Sequence, residues 1–171
     1  NYFTEEVSQE IVSKFGQVDM IIANNVYAHI PDIQGTTRAV ESALGKEGIF
    51  VFEVHYLGKV IEEMQYDMIY HEHLYYYSLL SAIEHFRRYN MVVFDLKLVP
   101  IHAGSLRLYV SKECSKHALK ISDAVQLLAE KERAKGYDKF WSFQKFSNEV
   151  ATTKTKLIKV LKKIKSEGKT I

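Results

Sequence analysis

Three short apolar runs, residues 18–23, 49–54 and 91–99, divide this chain, and a stretch of helical periodicity precedes each one. Apolar strands fed by helices imply parallel strands joined by crossover helices, because parallel neighbours need a long connection between them. Thr4 stands as an N-cap before Glu5 and Glu6, with Val7, Ile11, Val12 and Phe15 at helical spacing and Gly16 as the stop. Residues 18–23 then read as a buried strand, followed by Asn24, Asn25 and a loop through Pro31. A short helix near residues 36–44 ends in Gly45-Lys46-Glu47-Gly48, and a second buried strand, 49–54, stays apolar until Glu53. A helix over 79–89 leads into the third run. Residues 105–111 alternate like a fourth strand, close enough to pair antiparallel with the third across Pro100–Gly104. From Leu119 onward the pattern is helical to the end, and its lysines form a solvated face.

Composition excludes several classes. The 171 residues fit one domain, or one domain with an appendage. A net charge of +2, with no basic stripe interleaved with aromatics, argues against a nucleic-acid binder. Cys114, the single cysteine, has no internal disulfide partner, so a reducing cytoplasm is the default location. No apolar run approaches the roughly 20 residues of a membrane span, and no signal-peptide core is present. A first residue of Asn rather than Met is expected of a processed or incomplete chain.

Chemistry concentrates in residues 66–78, where His71, His73, Glu72 and five tyrosines follow the second strand and its turn. Such groups are costly to bury unpartnered, and their clustering marks places where protons move or metals bind. An aromatic-rich surface strand with incidental histidines is the bland counterpart. Open α/β sheets bind ligands outside the carboxyl ends of their strands. Asn24 and Asn25, then Glu53, His55 and Tyr56, then the 70–78 cluster all fall just past such ends, and His102 lies in the turn between the last two strands. A shared pocket is the expectation.

Residues 19–32, Asp-Met-Ile-Ile-Ala-Asn-Asn-Val-Tyr-Ala-His-Ile-Pro-Asp, resemble the fourth-strand segment of class I S-adenosylmethionine-dependent methyltransferases. Asp67-Met68-Ile69-Tyr70-His71-Glu72-His73, with the later His102-Ala103-Gly104-Ser105-Leu106-Arg107, resembles the sugar C-methyltransferases. The resemblance implies the second half of a Rossmann-like α/β sheet, parallel strands plus an antiparallel terminal strand, followed by C-terminal helices. It divides the chain into a partial methyltransferase core, residues 1–112, and a helical segment, 113–171, leading to a further α/β domain. It also implies an upstream zinc-binding domain and a Gly-rich cofactor loop, neither present here, so the chain is expected to be the middle of a longer enzyme. Ala103 stands where the family more often has glycine, and His55 occupies a place the family varies.

Implied by the same resemblance are S-adenosylmethionine as cofactor and a nucleotide-linked keto-deoxysugar as substrate, methylated on a carbon next to its ketone. Such a carbon becomes a nucleophile only after an alpha proton is removed to give an enolate. Histidine, with an unperturbed pKa of about 6.5, suits that step. His73 matches the family's base, and Glu72 and Tyr70 match its catalytic neighbours; a tyrosine hydroxyl can donate to the enolate oxygen as charge develops. Ala23, Asn24, Asn25 and His29 fall at the cofactor, and Tyr56, His71, His102, Ser105 and Arg107 at the substrate. The planar fork of Arg107 suits a phosphate, while its place on an alternating strand fits an exposed residue equally well. If the cluster is extended, His71 and His73 share a face and Glu72 points away from both.

Two other classes fit parts of the same pattern. A metal-dependent enzyme would use His71 and His73 with His102 or Glu72, although the H-E-x-x-H helix is absent. A non-catalytic fragment or interaction module is the other, supported by the missing Gly-rich loop. Oligomeric state is not legible.

Overall fold

In the computed structural model, which describes residues 2–170, the chain forms ten principal elements. They are α1 (Glu5–Phe15), β1 (Val18–Asn24), α2 (Ile33–Ala43), β2 (Leu44–His55), α3 (Leu57–Glu62), α4 (Leu79–Arg87), β3 (Met91–Val99), β4 (Ser105–Lys112), α5 (Asp123–Ala134) and α6 (Phe140–Ser166). Short 3₁₀ turns cover Tyr27–His29, Tyr66–Met68 and Lys116–Leu119.

The four strands make one mixed sheet in the order β1-β2-β4-β3. β1 and β2 run parallel, as the crossover through α2 requires. The final strand β4 inserts between β2 and β3 and is antiparallel to both, so the α/β architecture with an antiparallel terminal strand is the observed one. Thr4 caps α1 by accepting from the Val7 N–H, and Gly16 ends it at φ 82°, a backbone region glycine enters without penalty. The core centres on an aromatic knot of Tyr27, Phe50, Phe52 and Phe86, all fully buried, with ring centroids 4.9–6.1 Å apart. Each such side chain contributes about 1.5–3 kcal/mol on leaving water.

Several elements depart from the sequence reading. β1 is not buried on both faces: Met20 and Ile22 are 53% and 60% exposed while Ile21 and Ala23 pack inward, because this edge strand has the core on one side only. α2 starts three residues early, since Asp32 accepts from the Gly35 N–H and caps the helix there. β2 begins at Leu44, five residues before the expected start, and the Gly45–Gly48 stretch expected to end the helix is absorbed as a register shift, Val18 facing Leu44 and Met20 facing Ile49. The C-terminal helical pattern is broken in two at Gly136, where φ is +71° and an added Cβ would sit 2.2 Å from the Trp141 ring.

The start of α4 is fixed from two sides. Ser78 and Ser81 form a reciprocal capping pair. The fully buried Glu132 of α5 accepts from the Leu79 and Leu80 N–H groups at 2.8 and 2.9 Å. These two contacts also set where the preceding tyrosine- and histidine-rich segment ends.

Candidate active site

A cavity of about 110 Å³ opens at the carboxyl ends of β1 and β2. Asn25 follows β1 and adopts φ 53°, a left-handed conformation asparagine tolerates, with its N–H on the Glu53 carbonyl at 2.8 Å. Ala28 and His29 come from the turn after it, and Val54 and His55 from the end of β2. Met68, Tyr70 and His73 close the cavity from the segment before α4, and His102 reaches it from the β3–β4 turn. That turn is drawn in by the Tyr56 N–H, which donates to the Gly104 carbonyl at 3.1 Å.

The segment 66–76 is not extended. A 3₁₀ turn at Tyr66–Met68 and a tight turn over 70–73, closed by the His73 N–H on the Tyr70 carbonyl, replace the strand alternative. His71 and His73 therefore do not share a face. His73 turns inward, and His71 points to solvent with a side chain 91% exposed. The bend is imposed from outside: the Ala28 carbonyl accepts from both Leu74 and Tyr75, and the His29 Nδ1–H donates to the Glu72 carbonyl at 2.7 Å.

His73 is held by both ring nitrogens. A carbonyl oxygen can only accept, so the 3.1 Å contact with the Met68 carbonyl places the proton on Nδ1. Nε2 is left with its lone pair, 3.0 Å from the Tyr70 hydroxyl, which donates to it. The rings of Tyr70 and His73 lie 4.3 Å apart, and His29 and His55 stand 4.9 and 6.3 Å from His73. A basic nitrogen with a phenol beside it can take a proton from carbon and supply a donor to the oxygen where charge collects.

His55, expected with Glu53 and Tyr56 just past the end of the second strand but given no role there, lines the cavity. Its Nε2–H donates to the Gln65 Oε1 at 2.9 Å, while Nδ1 is buried without a partner. Burial holds its pKa below the ordinary histidine value, with His73 and His102 nearby acting in the same direction. It is the last residue of a strand at the sheet's carboxyl edge, the position that marked it in the sequence.

The other expected residues are distributed unevenly. Asn25, His29, Tyr70, His73 and His102 are brought together. Ala23 and Asn24 end β1 beside the cavity without lining it. The Glu72 carboxylate stands in solvent, 65% exposed and 4.0 Å from His71, and only its backbone carbonyl joins the site. Tyr56 is 2% exposed, its ring over Gly58 and its hydroxyl buried near Glu132, whose charge helps burial push its pKa up. Ser105 is fully buried and donates to the Ile101 carbonyl at 3.0 Å. Arg107 spends Nε and one terminal nitrogen on Glu53, at 2.9 and 2.8 Å, so its fork serves a buried carboxylate across the β2–β4 pair. The metal alternative finds no support: among the described residues, no group of three His, Cys, Asp or Glu is placed to hold an ion.

Known proteins align with both halves of the chain. The model of a methyltransferase domain matches residues 2–96, and that of a C-methyltransferase C-terminal domain matches residues 100–171. The chain is 29% identical over 169 residues to the C-methyltransferase NovU of Streptomyces niveus, covering 99% of this chain. It spans 40% of the length of that relative. Among solved structures, it is similar to a SAM-dependent methyltransferase from Anabaena variabilis at 13% identity and TM-score 0.47, over 64% of this chain and 55% of that one. Magnesium protoporphyrin IX methyltransferase from Synechocystis, solved with bound SAH, aligns at 10% identity and TM-score 0.43, over 56% of this chain and 45% of that one.

Proposed function

We propose that this chain, which belongs to the methyltransferase domain family, is the acceptor-activating part of an S-adenosylmethionine-dependent C-methyltransferase. Its acceptor would be a carbon next to the ketone of a nucleotide-linked keto-deoxysugar. Residues 1–112 would be part of the methyltransferase core, and 113–171 would lead toward a further C-terminal domain. The observation that carries the reading is the Tyr70–His73 pair, with Nδ1 of His73 committed to the Met68 carbonyl and Nε2 left basic at the cavity.

S-adenosylmethionine, when bound, supplies an electrophilic methyl. The wall made by Asn25, the small buried Ala28 and His29 fits the reacting end of such a group, having polar atoms and no bulky side chain beyond His29. His73 Nε2 takes the alpha proton and becomes an imidazolium steadied by the Met68 carbonyl on its other nitrogen. Tyr70 shifts its hydroxyl from Nε2 to the oxygen of the forming enolate. Glu72 acts through its main chain, holding His29 against His73. His102 and the Met68 side chain border the acceptor's side of the cavity, and a volume near 110 Å³ admits the reacting part of a sugar while its nucleotide lies outside.

The test uses the full-length protein with nucleotide-linked keto-deoxysugars, following both methyl transfer and exchange of the alpha proton in D₂O. His73→Asn is expected to lower both by about 10²–10⁴-fold, the usual worth of a positioned base, with S-adenosylhomocysteine affinity unchanged. Undiminished alpha exchange in that variant would refute the assignment of the base.

A further inference from the structure

We infer that Gln65 is the positioning residue of this site, its side-chain amide locking His55 in one tautomer and clamping the His102 turn to the segment that carries Tyr70 and His73. This rests on the proposed reading of the cavity as the acceptor site. Gln65 precedes the 3₁₀ turn and belongs to it through its backbone, donating to the Val60 carbonyl and accepting from the Met68 N–H, each at 3.0 Å. Its side chain reaches both other walls. Nε2 donates to the Ala103 carbonyl at 3.0 Å and to Glu63 at 2.8 Å, and Oε1 accepts from His55 at 2.9 Å.

The amide orientation follows from its partners. Two oxygens that only accept flank Nε2, so the atom facing His55 is the oxygen. His55 must then carry its proton on Nε2, which leaves Nδ1 as an unprotonated nitrogen with no partner in the wall of the cavity. A ring free to choose would place its proton where a partner exists, and Gln65 decides which nitrogen that is.

The second arm works against strain. His102 and Ala103 both hold positive φ, 50° and 59°, conformations a residue with a Cβ adopts only at an energetic cost. Such outliers persist where surrounding contacts over-determine them. Here the contacts are the Gln65 donor on the Ala103 carbonyl and the Tyr56 N–H on the next carbonyl, that of Gly104. Released, the turn can relax, and His102 with it.

Two variants separate positioning from general packing. Gln65→Met keeps the volume and removes every hydrogen bond of the amide. Gln65→Glu keeps the acceptor for His55 and loses the donor to Ala103. His55 is followed by imidazole NMR, with His73, His102 and Asp67 as the titrating groups around it and Glu63 beside residue 65. The expected result is a His55 titration midpoint that falls in Gln65→Met, since the lost bond favoured the charged ring, and rises in Gln65→Glu. In the full-length protein, kcat is expected to fall by up to about 10²-fold in both, the scale of a misplacement near 1 Å, with cofactor affinity nearly unchanged. Midpoints that stay at the wild-type value in both variants overturn the inference. A wild-type protein that transfers no methyl would overturn the proposed function, and the two titrations would still decide whether Gln65 holds His55.

Discussion

Replacing Glu132 by alanine is expected to destabilise the fold by about 2–3 kcal/mol. The carboxylate is fully buried, accepts the Leu79 and Leu80 N–H groups, and carries charge at the start of α4, where the helix dipole favours it. An unsatisfied buried donor costs about 1–3 kcal/mol. The Leu79 N–H lies in a buried contact and bears that cost in full, whereas the Leu80 N–H is only partly buried and regains water. Burial also pushes the Glu132 pKa up, so part of the gain is offset by the expense of keeping the charge. The sign of the pH dependence follows: a folded-state pKa above the unfolded value makes this contribution complete below about pH 4.5 and progressively lost as pH rises through the raised value. Glu132→Gln keeps one acceptor, turns an NH₂ toward the other donor and lacks this pH component, so it should cost about half as much at neutral pH. Urea titrations followed by circular dichroism give the numbers from the midpoints at constant slope. A Glu132→Ala variant within about 0.5 kcal/mol of wild type, the scale of a neutral surface change, would refute the capping argument.

Tyr70→Phe should leave His73 in place through the Met68 carbonyl yet lower kcat by about 10²-fold, the effect of losing one donor to a developing oxyanion, with little change in KM; steady-state kinetics on the full-length protein checks it. Ala103→Gly should raise stability by up to about 1 kcal/mol, because glycine enters φ 59° freely, and thermal unfolding reads the gain. His85 donates to Thr37, which also receives the Tyr27 hydroxyl, and burial lowers its pKa. Its share of stability is full above about pH 6.5 and is lost as pH falls through the lowered folded value; urea midpoints between pH 7.5 and 5 should show an acid loss that His85→Gln reduces.

Much of the fold was legible because the signals were local. The Thr4 cap, the Gly16 stop and the span of β3 each depend on residues within a few positions of one another. Pairing of β3 with β4 followed from a five-residue connection that leaves the chain little choice. Half of the site was legible for a related reason: strand ends at one edge of an α/β sheet converge, so Asn25, His73 and His102 could be expected together.

What the sequence determined by itself was therefore the order of the four strands, the parallel first pair and the helices α1, α2 and α4 that lead into β1, β2 and β3. Only tertiary structure decided which way each polar side chain points. His73 faces the cavity and His71 the solvent because two distant partners, the Ala28 carbonyl and the His29 imidazole N–H, bend the segment out of the extended form. Arg107 pairs with Glu53 because β4 enters the sheet beside β2, a register that no local pattern encodes. The physical reason is the same in each case. Periodicity fixes conformation over a turn or two, while the direction of a polar side chain is set by whichever distant donor or acceptor would otherwise be buried unpaired.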